Sequence, residues 1–270
     1  MSFNKLKLID PLLKAIEERG YKEATFIQKK AIPQILQRKN VMGIAKTGAG
    51  KTAAYSIPVV QLIHRIDKKS TGKPTLRALV VTPNDKLSLQ AGKSFSDYAK
   101  HTIVKHAVLT NHKDTAQINL LNEGVNVLVS NCNEIEALKN LNQGTFKDIK
   151  ILVLDEFDEM LNGSSKEYIQ TMLGIFPVGI QTICFTGKVD DNIDALLKQR
   201  LEGAEKFEVK PRPKKGTKQK KKSDKPRSGN PNAPKGDAKK KKKKKKGGGG
   251  RKSTEMSAKL KAKFLWPLEK

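Results

Sequence analysis

The chain has 270 residues, room for one large or two small domains, and its 54 Lys and Arg outweigh 27 Asp and Glu to a formal charge of +27. Its two cysteines, Cys132 and Cys184, stand far apart with no Cys-x-x-Cys pair, which removes a zinc signature and leaves buried reduced thiols as the expectation. No run of about 18 apolar residues occurs, so no membrane span is expected; Met1-Ser2-Phe3-Asn4-Lys5 lacks the basic-then-apolar order of a signal peptide, and a cytoplasmic location is expected.

In chain order, Leu8, Leu12, Leu13 and Ile16 recur at helical spacing until Gly20, and a second helix with Ile27, Ala31 and Ile35 on one face follows Thr25, a candidate N-cap. Residues 40–45 are a short strand candidate that ends in a Gly-rich turn, and helical spacing resumes from Gly50 toward Ile66. Continuous aliphatic runs at 77–82, 125–129, 149–154 and 182–185 predict strands covered on both faces, with weaker candidates at 104–109 and 207–209. Helical stretches near 85–100, 115–122, 133–141, 165–174 and 190–202 lie between them, and this alternation predicts an α/β fold with a parallel sheet. At Pro211 the composition changes to Lys, Gly, Pro and Ser. Residues 210–270 hold 25 basic and 4 acidic residues, against 29 and 23 in residues 1–209. Such a polycation repels itself and buries no apolar surface, so 210–270 is expected to be a disordered tail, with a short basic amphipathic helix over 253–266 as its one candidate element. It would attract polyanions, because each neutralised phosphate releases counterions.

The sharpest chemical signal is Ala45-Lys46-Thr47-Gly48-Ala49-Gly50-Lys51-Thr52, placed between a strand and a helix. Gly48 and Gly50 let the backbone of Thr47, Ala49 and their neighbours curl so that N–H groups face phosphate oxygens, and the helix start adds its positive dipole end. Lys51 can reach β- and γ-phosphates, and the Thr52 hydroxyl can ligate Mg²⁺. The bland alternative is a Gly-rich turn with a chance lysine. A second signal is Ile151-Leu152-Val153-Leu154-Asp155-Glu156-Phe157-Asp158, in which an apolar strand delivers two carboxylates at its C-terminal end. Asp155 would hold Mg²⁺ through water and Glu156 would position or deprotonate an attacking water. Acidic residues after a strand are also common as helix caps. His64, His101, His106 and His112 have no metal or triad spacing and read as surface or structural.

These two segments resemble the phosphate loop and the Asp-Glu-Ala-Asp signature of DEAD-box RNA helicases, here Asp-Glu-Phe-Asp, and Gly20-Tyr21-Lys22-Glu23-Ala24-Thr25-Phe26-Ile27-Gln28 resembles that family's adenine-reading Q motif. The resemblance spans about residues 1–209. It implies a three-layer RecA-like P-loop domain that uses ATP and Mg²⁺ and binds RNA, with Lys51, Asp155 and Glu156 in the catalytic role. It also implies that Gln28 contacts the adenine edge, that Tyr21 belongs to the same contact set, that Phe3, 17 residues before Gly20, stacks on the ring, and that Asp158 meets Thr186 to couple hydrolysis to unwinding.

The departures fall on the RNA-facing and coupling motifs. The family's Pro-Thr-Arg-Glu-Leu reads Pro83-Asn84-Asp85-Lys86-Leu87, its Gly-Gly pair reads Asn111-His112, its Thr-Pro-Gly-Arg reads Ser130-Asn131-Cys132-Asn133, and its Ser-Ala-Thr reads Thr186-Gly187-Lys188. The 270 residues contain no His-Arg-x-Gly-Arg stretch of the kind that marks the family's second domain. An arginine finger is worth about 10³–10⁵ in rate in other NTPases, so hydrolysis by these residues alone is expected to be weak. RNA, alone or within a ribonucleoprotein or ribosome, is expected to be held by the tail, above all by Lys239, Lys240, Lys241, Lys242, Lys243, Lys244, Lys245 and Lys246. The rival reading is a non-enzymatic pseudo-helicase that docks through that tail.

Overall fold

The computed structural model describes residues 2–68, 72–140, 146–163, 166–189 and 191–209. The tail, its eight-lysine run and the helix expected over 253–266 lie outside the described residues.

After a 3-10 turn at Phe3–Leu6 come helices α1 (Asp10–Glu18) and α2 (Phe26–Leu36), strand β1 (Val41–Ile44), helix α3 (Lys51–Asp67), strand β2 (Ala78–Thr82), helix α4 (Asp85–Ala99) and strand β3 (His106–Leu109). The chain continues through α5 (Thr115–Glu123), β4 (Val127–Asn131), α6 (Cys132–Asn140), a 3-10 turn at Phe146–Asp148, β5 (Ile151–Leu154), α7 (Phe157–Gly163), α8 (Lys166–Leu173), β6 (Gln181–Thr186), α9 (Asp191–Leu197) and β7 (Glu205–Glu208). The seven strands form one sheet in the order β3-β4-β2-β5-β6-β1-β7, and every pair is parallel. Helix α7 is an element that the apolar pattern did not predict, and the last strand starts two residues earlier than expected.

The sheet has a core on each face because strand side chains alternate. Ala78, Val80, Val129, Val153, Ile183 and Phe185 point to one side, where they meet Leu12, Ile16, Ile27, Ile35, Tyr55 and Phe95 from α1–α4. Leu79, Val81, Leu128, Leu152, Leu154 and Cys184 point to the other, against Ile135, Met160, Ile169 and Ile193 from α6–α9. The interior strands β2, β4, β5 and β6 are buried at every position, which is why they read as continuous apolar runs. The edge strands β3 and β7 alternate instead, and both gave weak sequence signals. Gly43 of β1 is a packing requirement, since a Cβ there would lie 2.3 Å from the Phe185 ring. No helix among the described residues is long and apolar enough to cross a membrane.

Candidate functional site

Parallel strands bring their C-terminal ends to one edge, and the loops leaving β1 and β5 meet there. After β1 the chain turns through Gly48 (φ 85°) and Gly50 (φ 91°) into α3. Side chains are excluded at Gly50 by more than the dihedral: a Cβ there would stand 2.6 Å from Gln28 Nε2. Lys51 and Thr52 open the helix. Lys51 is buried, and its ammonium donates to the Ala45 carbonyl (2.6 Å) and to the Glu156 carboxylate (2.8 and 2.9 Å to the two oxygens).

At the end of β5, Asp155 is buried with one oxygen occupied and one open. Its Oδ2 accepts from the Tyr55 hydroxyl at 2.8 Å, and its Oδ1 is buried with no partner. Burial pushes the Asp155 carboxyl up to about 6, against the pull of the Tyr55 hydrogen bond and the Lys51 charge. Burial, with the neighbouring Asp155 carboxylate, pushes the Tyr55 phenol well up, so it stays a donor. Glu156 begins the turn into α7 with φ 53°, a left-handed backbone that side chains rarely adopt. Two residues on, Asp158 Oδ1 lies 2.9 Å from Thr186 Oγ1 and accepts from the Gly187 N–H at 2.9 Å; Thr186 Oγ1 is also 2.7 Å from the Lys188 carbonyl. These bonds tie the β5 and β6 loops together.

A cavity of about 390 Å³ runs from these groups past Gln28 to the segment before α2. Its lining includes Tyr21, Gln28, Thr47, Gly48, Gly50, Lys51, Thr52, Asp155 and Glu156, with Leu87, Gln90 and Ser94 of α4 as one wall. The structure thus brings most of the sequence-predicted nucleotide contacts to one hollow. Gln28 is held at both ends of its amide: Oε1 accepts from Thr25 N (2.9 Å) and Nε2 donates to the Gly50 carbonyl (3.2 Å). The Tyr21 ring is exposed under the Arg19 guanidinium, 5.6 Å from the ring centroid, and Arg19 is itself ion-paired with Asp97 of α4. Phe3 lies elsewhere, packed in the core at 4% exposure, and Ala49 stands between the two lining glycines with its carbonyl accepting from Thr25 Oγ1 (3.0 Å). Arg19 and Tyr55 are site residues that sequence reasoning missed; Thr25 was read only as an N-cap and as part of the Gly20–Gln28 motif.

The segments after β2 and β3 and the β4–α6 junction, where the RNA-facing departures fall, are held by bonds among themselves and to α6 and α8. Asn84 Oδ1 caps α4 by accepting from Leu87 N (3.1 Å), and Asn131 donates to Asp85 (2.6 Å) while accepting from Glu134 N (3.1 Å). Tyr168 donates to Asn133 (3.0 Å), and the backbone N–H and the Nδ1 of His112 both meet one Glu134 oxygen (2.6 and 2.9 Å). Among the described residues no cluster of three His, Cys, Asp or Glu could hold a metal by itself.

A family model described as DEAD/DEAH box helicase matches residues 25–196. The ATP-dependent RNA helicase CshA of Limosilactobacillus reuteri is 33% identical over 211 residues, 78% of this chain and 41% of that protein. DEAD-box ATP-dependent RNA helicase 27 of Arabidopsis thaliana is 33% identical over 204 residues, 74% of this chain and 32% of that protein. The chain therefore spans less than half the length of these relatives. The solved structure of a DEAD box protein from the hyperthermophile Methanococcus jannaschii is similar with a TM-score of 0.71 at 28% identity, covering 78% of this chain and 56% of that one. Since the family model takes in more than half of its residues, this chain belongs to the DEAD/DEAH box helicase family.

Proposed function

We propose that this chain binds ATP with Mg²⁺ in the hollow between Gln28 and Asp155, hydrolyses it slowly as these 270 residues alone, and binds RNA mainly through its lysine-rich C-terminal segment. The observation that carries the nucleotide reading is the buried, unpartnered Oδ1 of Asp155 beside Lys51 and a glycine cradle that opens into a cavity. An unmet buried carboxylate oxygen is costly unless a ligand completes it. The residues present suit Mg²⁺: two hard oxygen donors, the Thr52 hydroxyl and the Asp155 carboxylate, with the remaining positions left to phosphate and water, as that ion prefers. Bound there, the ion would neutralise phosphate charge. Lys51 would leave Glu156 for the β- and γ-phosphates, and Glu156, relieved of its partner, would act on the attacking water. Gln28 would read the base edge, with Tyr21 rather than the buried Phe3 as the aromatic surface at the base.

The pseudo-helicase reading is favoured by a different observation, the closed hydrogen bonding of the loops after β2 and β4, which leaves Asp85 and Asn131 occupied with each other. A steady-state ATPase assay with and without RNA separates the two: turnover above background supports the first, and none under either condition supports the second. The RNA proposal rests on the net charge of residues 210–270. Binding should be nearly blind to sequence and should fall by about 10³–10⁵ between 50 and 200 mM salt if roughly six to ten phosphates are neutralised. Residues 1–210 alone, and the full chain with Lys239 to Lys246 replaced by Ser, should each lose most RNA affinity and keep ATP affinity. Equal RNA affinity in residues 1–210 and the full chain would show that the altered loops still grip RNA. The cytoplasmic location expected from the sequence, and a ribonucleoprotein or ribosome as the source of the RNA, belong to this proposal.

A further inference from the structure

We infer that Tyr55 is a positioning residue for the divalent cation, fixing the Asp155 carboxylate with its phenol so that Oδ1 is the oxygen offered to the ion; the inference rests on the Mg²⁺–ATP reading above. Tyr55 lies one helical turn after Lys51 in α3 and is fully buried, between Phe95 of α4 (ring centroids 6.3 Å) and Phe185 of β6 (5.8 Å). Phenylalanine would meet that packing equally well. A buried hydroxyl is costly without partners, so the oxygen calls for its own account. It donates to Asp155 Oδ2 at 2.8 Å.

Tyr55 is thus bonded directly to one of the expected cation ligands. A carboxylate held through Oδ2 cannot turn freely, which leaves Oδ1 as the oxygen on offer, and Oδ1 is the atom without a partner. The carboxylate is therefore oriented before any cation arrives, by a ring that the two neighbouring aromatics hold still. Groups that orient metal ligands in this way are worth about 10–100-fold in metal affinity.

The test compares Tyr55→Phe with the unaltered full chain, with far-UV circular dichroism as the check on folding. Affinity for the fluorescent nucleotide mant-ADP is measured with and without Mg²⁺, and the ratio gives the cation's enhancement. That ratio should fall about tenfold in Tyr55→Phe. Asp155→Asn provides a second background, in which adding Tyr55→Phe should alter the ratio by less than about twofold, because the pair acts through one carboxylate. A purely structural Tyr55 would change both affinities alike and leave the ratio intact. An unchanged or larger ratio in Tyr55→Phe, with normal Mg²⁺-dependent binding by the unaltered chain, overturns the role of Tyr55 and spares the nucleotide reading. Failure of the unaltered chain to bind mant-ADP at all overturns the nucleotide reading and this inference with it.

Discussion

The loops after β1 and β5 and the loops after β2 and β4 leave the same edge of one sheet, yet they treat their polar groups in opposite ways. The first pair keeps hydrogen-bonding capacity open: Asp155 Oδ1 is unmet, and the Lys51–Glu156 pair faces a cavity. The second pair spends its capacity internally, through Asn84 on the α4 terminus and Asn131 between Asp85 and α6. Buried polar groups are ordinarily satisfied, so an open one marks a place where something other than stability set the residue. Of these two pairs, the one after β1 and β5 carries that mark, at Asp155 Oδ1.

The hardest blow to this contrast falls on Lys51. Lys51→Ala should weaken Mg²⁺–ATP binding on the order of 10- to 100-fold, the worth of a hydrogen bond to a charged group. It should also destabilise the fold by about 3–5 kcal/mol, because it leaves the Glu156 carboxylate buried without its partner. Adding Glu156→Gln should recover stability and not affinity, as read by thermal unfolding and calorimetry. Recovery of both would mean that Lys51 serves the fold alone.

Asp155 gives the next effect. Its carboxyl is raised from 3.8 to about 6 in the folded chain, so the folded state holds the proton more tightly than the unfolded one. The associated stability is present below pH 4 and is lost as pH rises through about 6. The stability difference between the unaltered protein and Asp155→Asn should therefore shift against the unaltered protein by at most about 3 kcal/mol between pH 4 and pH 7, since one pKa unit is about 1.4 kcal/mol. A flat difference in denaturant titrations would show that Asp155 is already satisfied.

The smallest effect sharpens the other side of the comparison. Asn131→Ala removes the bond to Asp85 and the cap on Glu134 N, and should cost about 1 kcal/mol of stability. Nucleotide and RNA affinity should stay within about twofold. A loss of several-fold in RNA affinity would show that these loops contact RNA after all.

Much of this was legible in the sequence, for reasons that also explain the gaps. The interior strands announced themselves because burial on both faces leaves no solvent-facing position to interrupt the apolar run. Helix α7 did not, because its seven residues start with the acidic motif and carry only Phe157 and Met160 to the core. The phosphate loop was legible because its glycines, lysine and threonine are needed at fixed spacing. Tyr55 was not, because in the apolar stretch of α3 an aromatic residue reads as core, and its hydroxyl acquires meaning only when β5, 100 residues on, sets Asp155 beside it. Phe3 shows the converse: the family resemblance implied a place for it on the base, and the packing of the N-terminal turn put it in the core.

Glu156, with φ 53°, occupies a backbone conformation in which glycine or asparagine would rest more easily. Its carboxylate also pairs with the buried Lys51 ammonium, so glycine there would relieve the backbone and leave that charge without its partner, and no heat resistance is gained at this position. Lys7 (φ 56°) and Arg38 (φ 61°) share the same backbone region on the exposed surface, away from the hollow. Glycine at those two positions relieves the same conformational tension without touching the carboxylate, and a hardened version of this domain starts there.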